Sequence, residues 1–232
     1  MQTRLLCDAN KASLRTRLQQ CCLRHNFNVM ESMQTEEKVR KIKRSFRLYM
    51  NGEAARSMRE KGLAYKLIWG VSLNHLKLMA AEYGHDYDLT MALWKENIRE
   101  CKILAMLIMP PDAMTKSLAE AWAADIPTVE AAELCVFTLF RHLPFAGELA
   151  EEWLASDRNL TRICAYHIMC SLLTPGSCPS ENMVNRILES ARRDLATGDI
   201  SLRHSAGNCL MRLMAVGDEY ETLGESLLES LS

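Results

Sequence analysis

Glu133 closes the stretch "DIPTVEAAE", residues 125–133, which also holds Asp125 and Glu130. A carboxylate on such a helix can stabilise a developing cation or orient water, provided its surroundings set its charge. A second chemical feature is cationic. "TEEKVRKIKRSFR", residues 35–47, offers Lys41, Lys43, Arg44 and Arg47 as phosphate contacts, and Arg158, Arg162 and Arg203 follow along the chain. Lys and Arg neutralise phosphate, and Arg does so with a bidentate fork. The same basic run reads equally well as a solvated helix face. A third feature is Cys21 with His25, four residues apart and able to present two metal ligands on one helix face. No second pair completes that site, so no metal is expected.

Other chemistries lack their residues. G-x-x-x-x-G-K-[ST], G-x-G-x-x-G and H-E-x-x-H do not occur, and "GVSLN" is not a G-x-S-x-G elbow. Phosphotransfer, hydride transfer and zinc hydrolysis therefore have no support, and no cofactor is expected. His75, His142, His167 and His204 show no metal or triad spacing and read as core or surface residues.

The elements that must position these residues are helices. The chain has 232 residues, 48% of them hydrophobic, with only 10 Gly, 6 Pro and 6% aromatics. Abundant Leu, Met and Ala favour helix, and no sustained alternating run of β-branched residues is present. Apolar residues recur at helical spacing almost throughout. The spacing predicts helices near residues 8–25, 35–49 and 51–62, then behind Ser72 as far as Gly84. Further helices follow over "LTMALWKEN", "IRECKILAMLIM", "DAMTKSLAEAWAAD" and "TVEAAELCVFTLFRHL". "FAGELAEEWLAS", "NLTRICAYHIMCSLL", "ENMVNRILESARRDLAT", "SLRHSAGNCLMRLMA" and "EYETLGESLLES" complete the set, with "TPGSCPS" as the clearest loop. Helix pairs recur about every 35–40 residues, which predicts an all-α, HEAT-like or armadillo-like solenoid with a concave face. A compact helical bundle is the alternative.

No linker composition interrupts the chain, so one domain over 1–232 is expected, with basic helices over about 1–70 and the repeat array over about 71–232. Residues 1–70 carry 15 Lys and Arg against 6 Asp and Glu, and residues 71–232 carry 13 against 23. The nine cysteines are odd in number and lack C-x-x-C, which predicts free thiols in a reducing compartment. There is no apolar leader-like stretch in the first 15 residues and no run of about 18 apolar residues, so a cytoplasmic protein without membrane contact is expected.

Five blocks, in order, resemble the DNA alkylation repair family, the AlkD-like HEAT-repeat DNA glycosylases. They are "RLYMNGEAARSMREKGLAYKLIWGVSLNHLKLMAAE", "ALWKENIRECKILAMLIMPP", "AWAADIPTVEAAELC", "WLASDRNLTRICAYHIMCSLL" and "DISLRHSAGNCLMRL", spanning roughly residues 45–215. The resemblance implies duplex DNA, alkylated or otherwise damaged, bound on the concave face. It also implies removal of cationic N3- or N7-alkylated purines by a carboxylate flanked by aromatic faces, with an arginine on the neighbouring phosphate. The family's catalytic aspartate falls on Glu133 and its first tryptophan on Val129, which would line the groove. Its second tryptophan falls on Asn208. Its arginine falls on Arg162, or in a register one residue away on Ile163.

Valine and asparagine offer no π face to a cation. This favours a DNA-binding protein with weak or no glycosylase activity. Two alternatives stay open. One is a divergent alkylpurine glycosylase using Glu133, with Trp122 or Trp153 as substitute aromatics. The other is a protein-interaction scaffold, which the acidic residues 71–232 favour.

The acids near Glu133 have local explanations. Thr128 is a plausible N-cap, Glu130 complements the dipole of the first turn, and Asp125 belongs to the preceding turn. Glu133 falls about 40° from Val129 on a stripe with Val136 and Phe140. On such a stripe it should be paired, for instance to Arg162, or line the groove. Asn208 lies off the core stripe of Leu202, Ala206, Cys209, Leu210 and Leu213 and could hydrogen-bond DNA backbone.

Overall fold

The structure, a computed structural model, describes residue 30 and residues 32–231. The helix expected over 8–25 and the Cys21–His25 pair lie outside the described residues. Two compact units meet the eye along the chain, divided between Leu48 and Tyr49.

The first unit contributes a helix over residues 32–46 (α1). Val39, Ile42 and Phe46 recur at helical spacing and are buried, whereas Lys41, Arg44 and Arg47 are exposed and Lys43 is half-buried.

The second unit is helical among its described residues, apart from one parallel bridge between Leu67 and Ile98. Its helices are α2 (Gly52–Glu60), α3 (Leu73–Tyr83), α4 (Tyr87–Trp94), α5 (Arg99–Ile108), α6 (Lys116–Asp125) and α7 (Val129–Thr138). They continue with α8 (Ala146–Trp153), α9 (Asn159–Leu172), α10 (Glu181–Leu195), α11 (Ile200–Met214) and α12 (Asp218–Glu229). Polar caps start most of them. The side chains of Asn51, Ser72, Asp86, Thr128, Ser180 and Asp199 each accept from the backbone N–H three residues on. These bonds satisfy donors that the first helical turn leaves without partners.

Two predicted helices are shorter than their apolar pattern. The helix expected from Asp112 is a 3-10 turn, Pro111–Ala113, followed by α6 behind a new cap at Thr115. The helix expected from Thr128 to Leu143 ends at Thr138, and Phe140–His142 form a second 3-10 turn. Leu139, at φ −135° and ψ −66°, leaves helical geometry and breaks the phase.

The helices form two rows. α3, α5, α7, α9 and α11 pack in succession, each against the next, while α4, α8, α10 and α12 pack against α5, α9 and α11. This is the stacking of helix pairs that the spacing predicted. The core follows the rows: α5 buries nearly every residue, and the stripe Leu202, Ala206, Cys209, Leu210 and Leu213 of α11 is buried as expected. Trp94 stacks on Trp122 with ring centroids 3.8 Å apart, and Lys102 covers the Trp94 ring at 4.0 Å. Trp153 meets Phe140 edge-on. Of the six described cysteines, Cys101, Cys135, Cys164 and Cys209 are buried, Cys170 is half-buried, and Cys178 is exposed in the loop after α9. Among the described residues no helix is long and apolar enough to cross a membrane.

A buried ionic cluster anchors the segment before α3. Glu100 is fully buried and accepts the backbone N–H groups of Trp69, Gly70 and Val71. Gly70 has φ +75°, and a Cβ there would collide with the Asn51 carbonyl, so glycine is required on both counts. Arg99, 4% exposed, adds Nη1 to the Val71 carbonyl and grips Glu130 through Nε and Nη2 at 2.8 and 2.6 Å. Burial opposes the Arg99 charge, but the hydrogen bond and charge of Glu130 outweigh it and hold the guanidinium's pKa above its usual value.

Candidate functional site

Glu133 lies on α7 with its side chain 55% exposed. It does not share the buried stripe of Val136 and Phe140, as the spacing suggested. The buried face of α7 is Ala131, Ala132, Cys135 and Val136, and Phe140 has already left the helix. Glu133 instead shares a face with Glu130, Leu134 and Phe137, which recur at three- and four-residue steps.

That face lines a cavity of about 400 Å³. Its wall is completed by Leu73 of α3, Arg99 of α5, Val136, Arg141, and His167 and Ser171 of α9. Every helical contributor belongs to the odd-numbered row. Leu73, Leu134, Val136 and Phe137 make the wall apolar. Phe137 is 56% exposed, with the Arg141 guanidinium 4.1 Å over one face of its ring.

The polar lining divides into occupied and available groups. Glu130 and Arg99 hold each other. Ser171 donates its hydroxyl to the Ile168 carbonyl, and Arg141 donates Nε to His142. Glu133 has no hydrogen bond among the described contacts; its neighbour is His167 Nε2, 3.8 Å from Oε1. That buried nitrogen has no hydrogen-bond partner. Burial lowers the His167 pKa, Glu133 opposes the shift and His204 adds to it, so the ring is neutral near pH 7.

The other sequence-predicted residues are not gathered at this cavity. Val129 is half-buried in the first turn of α7 and outside the cavity lining. The anticipated partner of Glu133, Arg162, is bound elsewhere: Nη1 donates to the Ser156 carbonyl at 2.9 Å and Nη2 to Asn159 at 2.8 Å, and Nε pairs with Asp194 at 3.3 Å. Asp194 is 1% exposed and also accepts from Tyr166 and Arg193, so it draws the guanidinium inward. Arg158 is exposed and reaches the Ile126 carbonyl at 3.4 Å. Arg203 and Asn208 are exposed on α11, with the Asn208 amide 3.3 Å from His204 Nδ1. Lys41 and Arg44 lie with Lys38 and Arg40 along a separate hollow of α1.

Trp122 and Trp153 cannot stand in for the absent tryptophans, because they are 1% and 6% exposed in the core. The local explanations for the acids need additions too. Thr128 caps α7 and also meets the Tyr65 hydroxyl at 3.2 Å. Glu130 sits in the first turn and is the carboxylate partner of Arg99. Asp125 is the last residue of α6 and pairs with Lys102. Arg99, Phe137, Arg141 and His167 were not singled out as site residues in the sequence. The four-residue step from Glu133 to Phe137 and on to Arg141 was the one available signal.

The sequence profile of the DNA alkylation repair enzyme family matches residues 31–219. Among solved structures, one similar chain belongs to "a new family of proteins related to the HEAT-like repeat DNA glycosylases with affinity for branched DNA structures". It superposes with a TM-score of 0.67 at 18% identity, over 82% of this chain and 80% of that one. At that identity the likeness speaks for the fold. No curated protein matches the chain.

Proposed function

The chain belongs to the DNA alkylation repair enzyme family, and from that premise we propose that it binds duplex DNA, damaged or branched, on its odd-row face without excising alkylated bases at a useful rate. The observation that carries this reading is the setting of Glu133. Its carboxylate is exposed on a cavity wall where a DNA-facing acid would sit, yet both aromatic faces of the family's chemistry are missing. Val129 and Asn208 replace the tryptophans, and the remaining ring, Phe137, has one face covered by Arg141. An acid without flanking π faces forfeits part of the stabilisation of a cationic sugar and base. The solved relative's affinity for branched DNA agrees with binding as the retained property.

Phosphate contacts fall to Arg141, Arg158 and Arg203 on the second unit, with the Asn208 amide on the DNA backbone. Lys41, Lys43, Arg44 and Arg47 supply further contacts from α1. Arg162 is a poor phosphate ligand here, since freeing it would leave Asp194 buried without that partner. Two measurements test the reading. Fluorescence anisotropy with duplex and four-way-junction DNA should show affinity that falls steeply with salt. Chromatography of alkylated DNA should show no release of 7-methylguanine or 3-methyladenine above the Glu133→Gln level.

A second reading is favoured by the proximity of Glu133 to Phe137: a divergent glycosylase in which Phe137 supplies the π face. Base release that disappears in Glu133→Gln would establish it. The absence of DNA binding even at low salt would leave only the scaffold reading.

A further inference from the structure

We propose that Cys170 of α9 and Cys209 of α11 are a reactive thiol pair that a hydroperoxide converts to a reversible disulfide joining the two helices. The site is separate from the Glu133 cavity and asks nothing of DNA binding. α9 and α11 pack side by side, and the two thiols meet across that contact, where they share a hydrogen bond. Cys170 is half-buried and open to a small oxidant, and Cys209 stands behind it at 0% exposure. Arg212, about one turn after Cys209 on the exposed side of α11, brings its positive charge to Cys170. A partly exposed thiol beside a cation and a second cysteine is the setting in which oxidation is selective.

The two sulfurs have different roles. The Cys209 thiol donates to the Cys170 sulfur and favours its thiolate; burial opposes this and Arg212 adds to it, so the Cys170 pKa falls below its usual value. Cys209 is pushed the other way, by that same hydrogen bond and by burial, and keeps its proton. A second pair of neighbours shows what the first has gained. Cys135 of α7 and Cys164 of α9 are both at 0% exposure, burial pushes both thiols up, and Cys164 turns its thiol to the Ala132 carbonyl. Sealed from solvent and without a cation at the surface, that pair is inert.

The chemistry takes two steps. Cys170 gives its proton to water, and its thiolate attacks one peroxide oxygen. The O–O bond breaks, an S–O bond forms, and the departing alkoxide or hydroxide takes a proton from water. Cys170 is then a sulfenic acid. The Cys209 sulfur attacks the Cys170 sulfur, the S–S bond forms and the S–O bond breaks. Hydroxide leaves with the Cys209 proton as water. Two thiols are oxidised by two electrons, and the hydroperoxide is reduced to an alcohol or water.

The test treats the folded full chain with a small excess of hydrogen peroxide, blocks remaining thiols in denaturant, and reads the products by mass spectrometry. Digestion with trypsin and chymotrypsin separates Cys164, Cys170 and Cys178, because Tyr166, Leu172 and Leu173 lie between them. The chain should lose two thiols and about 2 Da, the mass of two hydrogens. The peptides of Cys170 and Cys209 should be linked, and dithiothreitol should restore both. In Cys209→Ala the link should vanish and dimedone, which traps sulfenic acids, should label Cys170. In Cys170→Ser the link should vanish and Cys209 should stay reduced. Oxidation confined to Cys178, a link from Cys170 or Cys209 to any other cysteine, or a Cys135–Cys164 link formed first would overturn the proposal. So would a Cys170 that dimedone leaves unlabelled in Cys209→Ala. Each of these outcomes leaves the DNA-binding reading standing, since no DNA enters the measurement.

Discussion

Glu130 and Glu133 stand one turn apart on α7, both line the same cavity, and they do different things. Glu130 is gripped by a nearly buried guanidinium that also holds the Val71 carbonyl, so it ties α7 to α5 and to the segment before α3. Glu133 is more than half exposed, and its ionic neighbour among the described residues is His167, at 3.8 Å. A step of about 60° around the helix separates an acid that is part of the framework from one that is open to solvent. The lesson is that residue type and even helix face do not assign a role. The assignment is made by what the neighbouring helices bring opposite, here Arg99 from α5 against Glu130 and His167 from α9 against Glu133.

The contrast can be broken in three ways. The largest effect should come from Arg99→Met. Removing the guanidinium leaves Glu100, which is 0% exposed, and Glu130 without their cation, and breaking one side of a buried ion pair costs about 3–5 kcal/mol. Urea unfolding followed by circular dichroism measures it; a variant as stable as the parent would show that the cluster is not a framework. Next come the two acids themselves. Glu130→Gln, which weakens a partly exposed pair, should cost about 1–3 kcal/mol. Glu133→Gln should stay within about 0.5 kcal/mol, as exposed substitutions do. Equal losses would erase the distinction between them.

The smallest effect is a pH dependence at His167. Its pKa is lowered in the fold, mainly by burial, with Glu133 opposing and His204 adding. The unfolded chain therefore binds that proton more readily. The contribution is present above the ordinary histidine value of 6.5 and is lost as pH falls through the lower folded value. Thermal melts of the parent and His167→Gln between about pH 7.5 and 5.5 should converge on the acid side. Parallel curves would place His167 outside the buried lining.

Much of the fold was legible from local rules. Ser72 and Gly84 bracket α3 as their capping preferences require, with Gly84 at φ +63°, and the apolar stripe of α11 is buried as read. The five sequence blocks pointed to the family whose profile matches. The two failed helix ends show where local rules stop. Nothing in "CVFTLFRHL" marks the break at Leu139, because an apolar run can continue a helix or turn away from it with the same residues buried. Phe140 does the latter, packing edge-on against Trp153 at 5.3 Å, and so Glu133 parts from the stripe to which the helical phase had assigned it.

The site was less legible than the fold. Glu133 was found through its neighbours in sequence, but Arg99, 34 positions away, and His167, 34 positions on the other side, reach the same cavity through the packing of α5, α7 and α9. Arg162 shows the converse. Its sequence position promised an open guanidinium, and buried Asp194 on the next helix hairpin turned it inward.

By itself, the sequence determined the helices, most of their caps and the helix-pair order, because these depend on interactions within a few residues of one another. Only the tertiary structure decided which charges are held in buried pairs and which are left open to solvent. Pairing is a contest among groups far apart in the chain, settled by distance and burial, and no local pattern of Glu130 and Glu133 records that Arg99 stands opposite one and not the other.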